Sequence, residues 1–373
     1  MTIELYHPGL RGVIAGETEI CNLEGTLTYR GYNVEDLAES ASYLEVAYLL
    51  LHDDLPSEEA LADFRSVFAE EAHLPQAITE VIDHLPLHVA PVDALRTAVS
   101  MLGHFDMQPT DGPASSGRPQ AIRLLAKLPL VVGQFAHKDV AVDELIASGQ
   151  EFAGMLLTLI RGKRPASGQE ARLNTALVLA AEHEFNAPSY AARIVASAKG
   201  DMYSAVAAAL GALRGVDHGL GSRGVLACLE EVGDPDRADR WVADRIHKKL
   251  PLPGFGHPVY RDYDPRAAMI ERYCQEFARA NRNFELETVA DAVEQAVWDA
   301  CRLPPNLEWT FARLMLYLGI PEELHVGVFA CARVAGWCAH AIEQAESGDV
   351  IRPRARYRGA EARLFEPLER RGM

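Results

Sequence analysis

The chain has 373 residues, six cysteines and a formal net charge of −17. That length buries one large core or two smaller ones. The acidic balance repels nucleic acid and anionic membrane surfaces, so neither is expected as a partner. Any phosphorylated ligand must instead meet a local basic island, such as residues 161–164 (RGKR), 248–249 or 352–358. None of the cysteines (Cys21, Cys228, Cys274, Cys301, Cys331, Cys338) has C-x-x-C spacing. This points away from a zinc site, a redox motif or a disulfide framework, and makes a reducing cytoplasm the expected compartment. The first residues lack a basic stretch followed by an apolar run, so no signal peptide is expected, and no apolar run reaches the length of a membrane span.

Residues 1 to about 35 mix Gly, Thr, Tyr and Val and read as short strands. From Asn33 onward the pattern is helical nearly to the end. One helix starts at Val34-Glu35-Asp36-Leu37, and a second runs through 42–51 and stops before Pro56. Ser57-Glu58-Glu59 caps a third, with its acids in the first turn where they favour the dipole. Pro91-Val92-Asp93 opens another that runs to about Phe105. The polar stretch 106–118 (MQPTDGPASSGRP) reads as a long loop, with helix resuming at Gln120, and 161–169 reads as a second loop. The small-residue helix from Asp201 to Arg214 reads as a core or subunit-interface helix ending at Gly215. From 322 to about 346, Val326, Phe329, Trp337 and His340 form a buried stripe at 3–4 spacing. Arg333 lies on that stripe. A buried arginine needs an anion, supplied either by a core carboxylate or by a ligand. With no strand pattern after the first segment, the fold class is all-α.

The most informative stretch is 252–266 (LPGFGHPVYRDYDPR). Its prolines and glycines forbid a regular helix. Gly254 and Gly256 lack a Cβ and leave the backbone free to approach a ligand. His257 follows, and Asp264-Pro265 reads as the N-cap and first residue of a helix opening with Arg266. A histidine, two arginines (Arg261, Arg266) and a helix N-terminus together suit an anionic ligand.

This stretch resembles the G-F-G-H-x-V-Y…D-P-R-A segment of the citrate synthase family. The similarity continues in order through 9–18 (GLRGVIAGET), 27–32 (LTYRGY), 183–187 (HEFNA), 217–219 (DHG), 306–308 (NLE), 332–337 (ARVAGW) and 351–354 (IRPR). It covers essentially the whole chain. The resemblance implies a large helical domain (1–219 and 320–373) and a small one (220–319), with the active site in the cleft between them. It implies condensation of acetyl-CoA with oxaloacetate and water to give citrate and CoA, without cofactor or metal. The catalytic residues implied are His218 as donor to the thioester oxygen, His257 as donor to the ketone oxygen, and Glu308 as the base. His183, Arg266, Arg333 and Arg352 are implied to hold the dicarboxylate, where arginine's fork suits carboxylate. Arg352 is expected to act in the partner's site of a homodimer. Leu252, Pro253, Gly254, Gly256 and Arg261 are implied to bind CoA.

The chain departs from the family pattern at Glu308, where most members have Asp, at Ser222, where Asn is usual, and at Pro258, where many have Arg. Two other readings share these motifs. One is 2-methylcitrate synthase, which uses propionyl-CoA; the other is a catalytically weak paralogue that binds CoA or a dicarboxylate.

Overall fold

The computed structural model describes residues 7–10, 12–86, 88–106, 113–136, 140–215 and 221–371. Seventeen α-helices and three two-residue strands make up its regular structure among these residues, so the protein is all-α. The strands Cys21–Asn22, Thr28–Tyr29 and Tyr32–Asn33 form one antiparallel sheet, with Cys21 opposite Tyr29 and Tyr29 opposite Tyr32. None of the described helices is long and apolar enough to cross a membrane.

Local chemistry sets many helix starts. Ser42 and Glu45 form a reciprocal capping box at 2.7 and 3.3 Å, satisfying two otherwise orphaned N–H groups. Asn33, Ser57, Asp201, Asp264 and Asn306 each accept a backbone N–H at a helix start. Two expectations need correction. Helix Pro113–Ala136 begins inside the stretch read as loop and carries Pro119 and Pro129 within it. Its contacts with the His325–Ser347 helix outweigh the local propensity of its polar first turns. Residues 322–324 form a separate 3-10 turn, and the long helix starts at His325.

Two clusters of buried apolar side chains hold the chain together. The larger is built around the 325–347 helix, which is buried along nearly its whole length, including Trp337 and Cys338. That helix packs on helices 113–136, Ala187–Ser197 and Met202–Leu213. The smaller cluster joins Val225, Leu229, Val242, Val293, Val297 and Trp309. Helix Leu307–Tyr317 serves both: Leu307, Phe311, Leu314 and Met315 enter the large cluster, Trp309 and Ala312 the small one. Met269, Ile270 and Cys274 also join the large cluster, so residues 220–319 contribute to both. Glu308 stands on the first turn of the helix that forms this seam.

Candidate active site

Three segments converge on a cavity of about 460 Å³ lined by His183, Gly256, His257, Arg266, Glu308 and Arg333. The first segment is the turn after helix Gln169–Ala180. There Glu184 adopts a left-handed conformation (φ 51°), and Asn186 starts the next helix while donating to the His183 carbonyl (3.1 Å). Tyr29, fully buried, brings its hydroxyl within 3.0 Å of the Glu182 carbonyl, so the N-terminal sheet buttresses this turn.

The second segment is the 252–266 loop, stitched to the third, residues 304–308. Gly256 N donates to Pro304 O (2.9 Å), Asn306 N to Gly254 O (2.8 Å), and the Asn306 side chain to Gly256 O (2.9 Å). Asn306 also caps the 307–317 helix through Glu308 N (3.0 Å). One asparagine therefore ties the histidine loop to the turn carrying Glu308. Gly254 has φ +83°, and a Cβ there would meet the Trp309 ring at 2.8 Å. Packing against the Trp309 ring by itself requires a glycine there.

His257 Nδ1 accepts from the backbone N–H groups of Val259 (3.1 Å) and Tyr260 (3.3 Å). In the neutral ring the proton is thereby assigned to Nε2, which becomes a donor. Burial, and then the nearby Arg266 charge, lower its pKa to about 4. His257 stacks on Tyr260 at 4.7 Å and meets His183 edge-on at 5.0 Å. His183 is held well below its ordinary value by burial and then by Arg266 and Arg333, and Tyr260 Oη lies 3.1 Å from its Nε2. Both rings are neutral at neutral pH.

The two arginines are placed differently. Arg266 donates from Nε (2.9 Å) and Nη2 (2.8 Å) to the two oxygens of Asp264, which also accepts Leu307 N (3.1 Å). Burial opposes the Arg266 charge, but this carboxylate outweighs it and raises the pKa. Asp264, read from the sequence only as a cap, is therefore also a clamp that fixes the guanidinium. Arg333 donates Nε to the Ala180 carbonyl and lies 4.9 Å from the Phe329 ring centroid. No described carboxylate lies within ion-pair distance of it. Burial lowers its pKa, and Glu182 partly offsets this. Glu182 itself accepts from His340 Nε2 (2.8 Å), whose Nδ1 accepts from Arg193 (3.1 Å). Burial pushes the Glu308 carboxyl up to about 7, with Arg266 opposing.

The cavity thus combines an elevated carboxylate, a neutral imidazole donor and two cationic forks. It can accept a proton from carbon at one point and bind a carboxylate-bearing ketone at another. These features sit in a chain that matches the family described as "Citrate synthase, C-terminal domain" over residues 9–354. The chain belongs to the citrate synthase family. It is 36% identical to a 2-methylcitrate synthase of Shewanella oneidensis, covering 99% of each chain. It is 35% identical to citrate synthase 2 of Bacillus subtilis, covering 97% of this chain and 98% of the relative. Its fold superposes with a TM-score of 0.90, at 27% identity and covering 99% of this chain and 100% of the other, on citrate synthase from Thermoplasma acidophilum in ternary complex with carboxymethyl coenzyme A and oxaloacetate. Membership implies a condensing enzyme of the acyltransferase type.

Not every sequence candidate reaches the cavity. His218 lies outside the described residues. Leu252, Pro253, Gly254 and Arg261 do not line this cavity, and Arg261 is exposed. Arg352 is exposed on the terminal segment, donating to the Pro353 carbonyl, and lines no part of this cavity within its own chain. Asp264, Asn306, Tyr260 and Glu182 were given no site role from the sequence. The signal available for Asp264 was its position two residues before Arg266, which suits a local carboxylate–guanidinium pair.

Proposed function

We propose that the protein condenses acetyl-CoA with oxaloacetate and water to release citrate and CoA. The observation that carries this reading is the convergence of Glu308, His257, Arg266 and Arg333 on one cavity. The Glu308 carboxylate takes a proton from the acetyl methyl group, and His218 donates to the thioester oxygen as the enolate forms. The enolate carbon attacks the ketone carbon of oxaloacetate. His257 Nε2–H bonds to the ketone oxygen and supplies the proton for the new hydroxyl, and water then cleaves the thioester. Arg266, Arg333 and His183 hold the dicarboxylate. Each preorganised donor acts on charge that develops only in the transition state.

CoA lies along Leu252, Pro253, Gly254 and Gly256, with Arg261 near its phosphates. Arg352 completes the site of a partner in a homodimer; a fully active monomer in sedimentation would contradict this. The unpaired cysteines support a cytoplasmic home.

A second reading, propionyl-CoA as donor, has one observation in its favour. Beside Glu308 lies a pocket of about 20 Å³ walled by Leu213, Leu307, Phe311, Val326 and Phe329 together with Ser222 and His325. Its mainly apolar lining suits one additional methyl group. The test is kcat/KM for acetyl-CoA and propionyl-CoA with oxaloacetate, read by a thiol reagent. A preference for acetyl-CoA is expected. A preference for propionyl-CoA selects the second reading, and no turnover with either rejects both.

A further inference from the structure

Gly221 opens helix Gly221–Val232 with no backbone reason to be glycine. It is not among the residues with positive φ. What occupies the space of its missing side chain is the Glu308 carboxylate. A Cβ at Gly221 would lie 1.9 Å from Oε2, 2.1 Å from Cδ and 2.4 Å from Oε1 of Glu308. One turn on, on the adjoining part of the same helix face, a Cβ at Gly224 would lie 3.1 Å from Pro253 Cβ. The 221–232 helix therefore rests its bare backbone on both the carboxylate and the 252–256 loop.

We propose that Gly221 is a positioning residue, its bare Cα setting where the Glu308 carboxylate stands. The inference rests on the reading of Glu308 as the base. It also accounts for the length of that side chain. A glutamate carries its carboxylate one methylene farther than an aspartate, and here the added reach ends against a residue with no side chain. The obstructed group is the far end of a flexible chain, so a methyl at 221 displaces the carboxylate rather than the fold.

The test is a four-variant series: Gly221→Ala, Glu308→Asp, the double variant and Glu308→Gln, with kcat, KM and Tm measured for each. Gly221→Ala is expected to lose about 10–100-fold in kcat, the scale of a base misplaced by about 1 Å, with oxaloacetate KM near wild type and Tm unchanged or raised. The acidic limb of its pH–rate profile is expected to move to lower pH as the displaced carboxylate meets water. The double variant is expected to be more active than the product of the two single losses, because the shorter aspartate leaves room for the alanine methyl. Wild-type kcat in Gly221→Ala, or losses that simply multiply in the double variant, would overturn the inference. So would an unfolded Gly221→Ala, since backbone would then be filling that space. An active Glu308→Gln would instead sink the reading of Glu308 as base, whereas an inactive Glu308→Gln beside a fully active Gly221→Ala would sink only the role of Gly221.

Discussion

Two buried arginines, Arg313 and Arg333, meet opposite fates in this molecule. Arg313, 0% exposed, donates to Glu287 (2.7 Å), Glu271 and Glu294 (3.3 Å), with Tyr317 completing Glu287 at 3.0 Å. Burial and then Glu271 push Glu294 up to about 7, so this nest holds its full share of acid. Arg333, 4% exposed, has a backbone carbonyl, an aromatic face and a glutamate acting through space, and it lines the cavity. On the proposed reading, unequal pairing at similar burial separates a structural cation from one that holds the dicarboxylate. A buried charge without a partner is costly, and the cost persists where a ligand offsets it.

The comparison breaks first at the chemistry. Glu308→Gln and His257→Ala each remove a group assigned to proton movement, and each is expected to lower kcat by about 10²–10⁴. Both variants should retain the native circular dichroism and oxaloacetate-dependent protection. Near-normal turnover in either would remove that residue from the reaction. On the structural side, Arg313→Met leaves three carboxylates around an apolar group. It is expected to cost about 3–5 kcal/mol in denaturant unfolding, the range for breaking a buried ion pair. A loss below about 1 kcal/mol would show the nest to be loosely solvated.

A subtler expectation concerns pH. The base works ionised, so kcat/KM should rise with pH through an inflection near 7, the value at which burial holds Glu308. His257, down at about 4, should add no inflection between pH 5 and 9. For stability the sign is the reverse. A carboxyl raised from 4.5 to about 7 favours the fold fully below 4.5, and that contribution is lost as pH rises through 7. Glu308→Gln should therefore be more stable than wild type at pH 8, by about 1–3 kcal/mol, and no more stable at pH 4. Equal stability at pH 8 would mean the carboxylate is well solvated.

Local signals were legible in the sequence. The caps at Ser57 and Asp264 depend on neighbours two or three residues away, and the stripe holding Arg333 follows helical period. The ordered motifs carried the family. What stayed hidden depends on segments far apart in the chain. Asn306 reaching Gly256, Glu308 resting on Gly221 and Arg313 gathering acids from two other helices leave no periodic trace. The helix start at Pro113 leaves no local signal, because the polar composition of its first turns reads as loop while tertiary packing decides for helix. The sequence posed the choice for Arg333 between core carboxylate and ligand without weighing Arg313, for which the core carboxylates are present.

The most direct test of that contrast is calorimetric titration of oxaloacetate into wild type and Arg333→Met. Removing a buried cation from its carboxylate partner is expected to weaken binding at least about 100-fold, roughly 3 kcal/mol, with no loss of thermal stability in the unliganded protein. Unchanged affinity, or a collapse of stability like that expected for Arg313→Met, would contradict the account: Arg333 would then be a structural cation, and the cavity it lines would not be the dicarboxylate site.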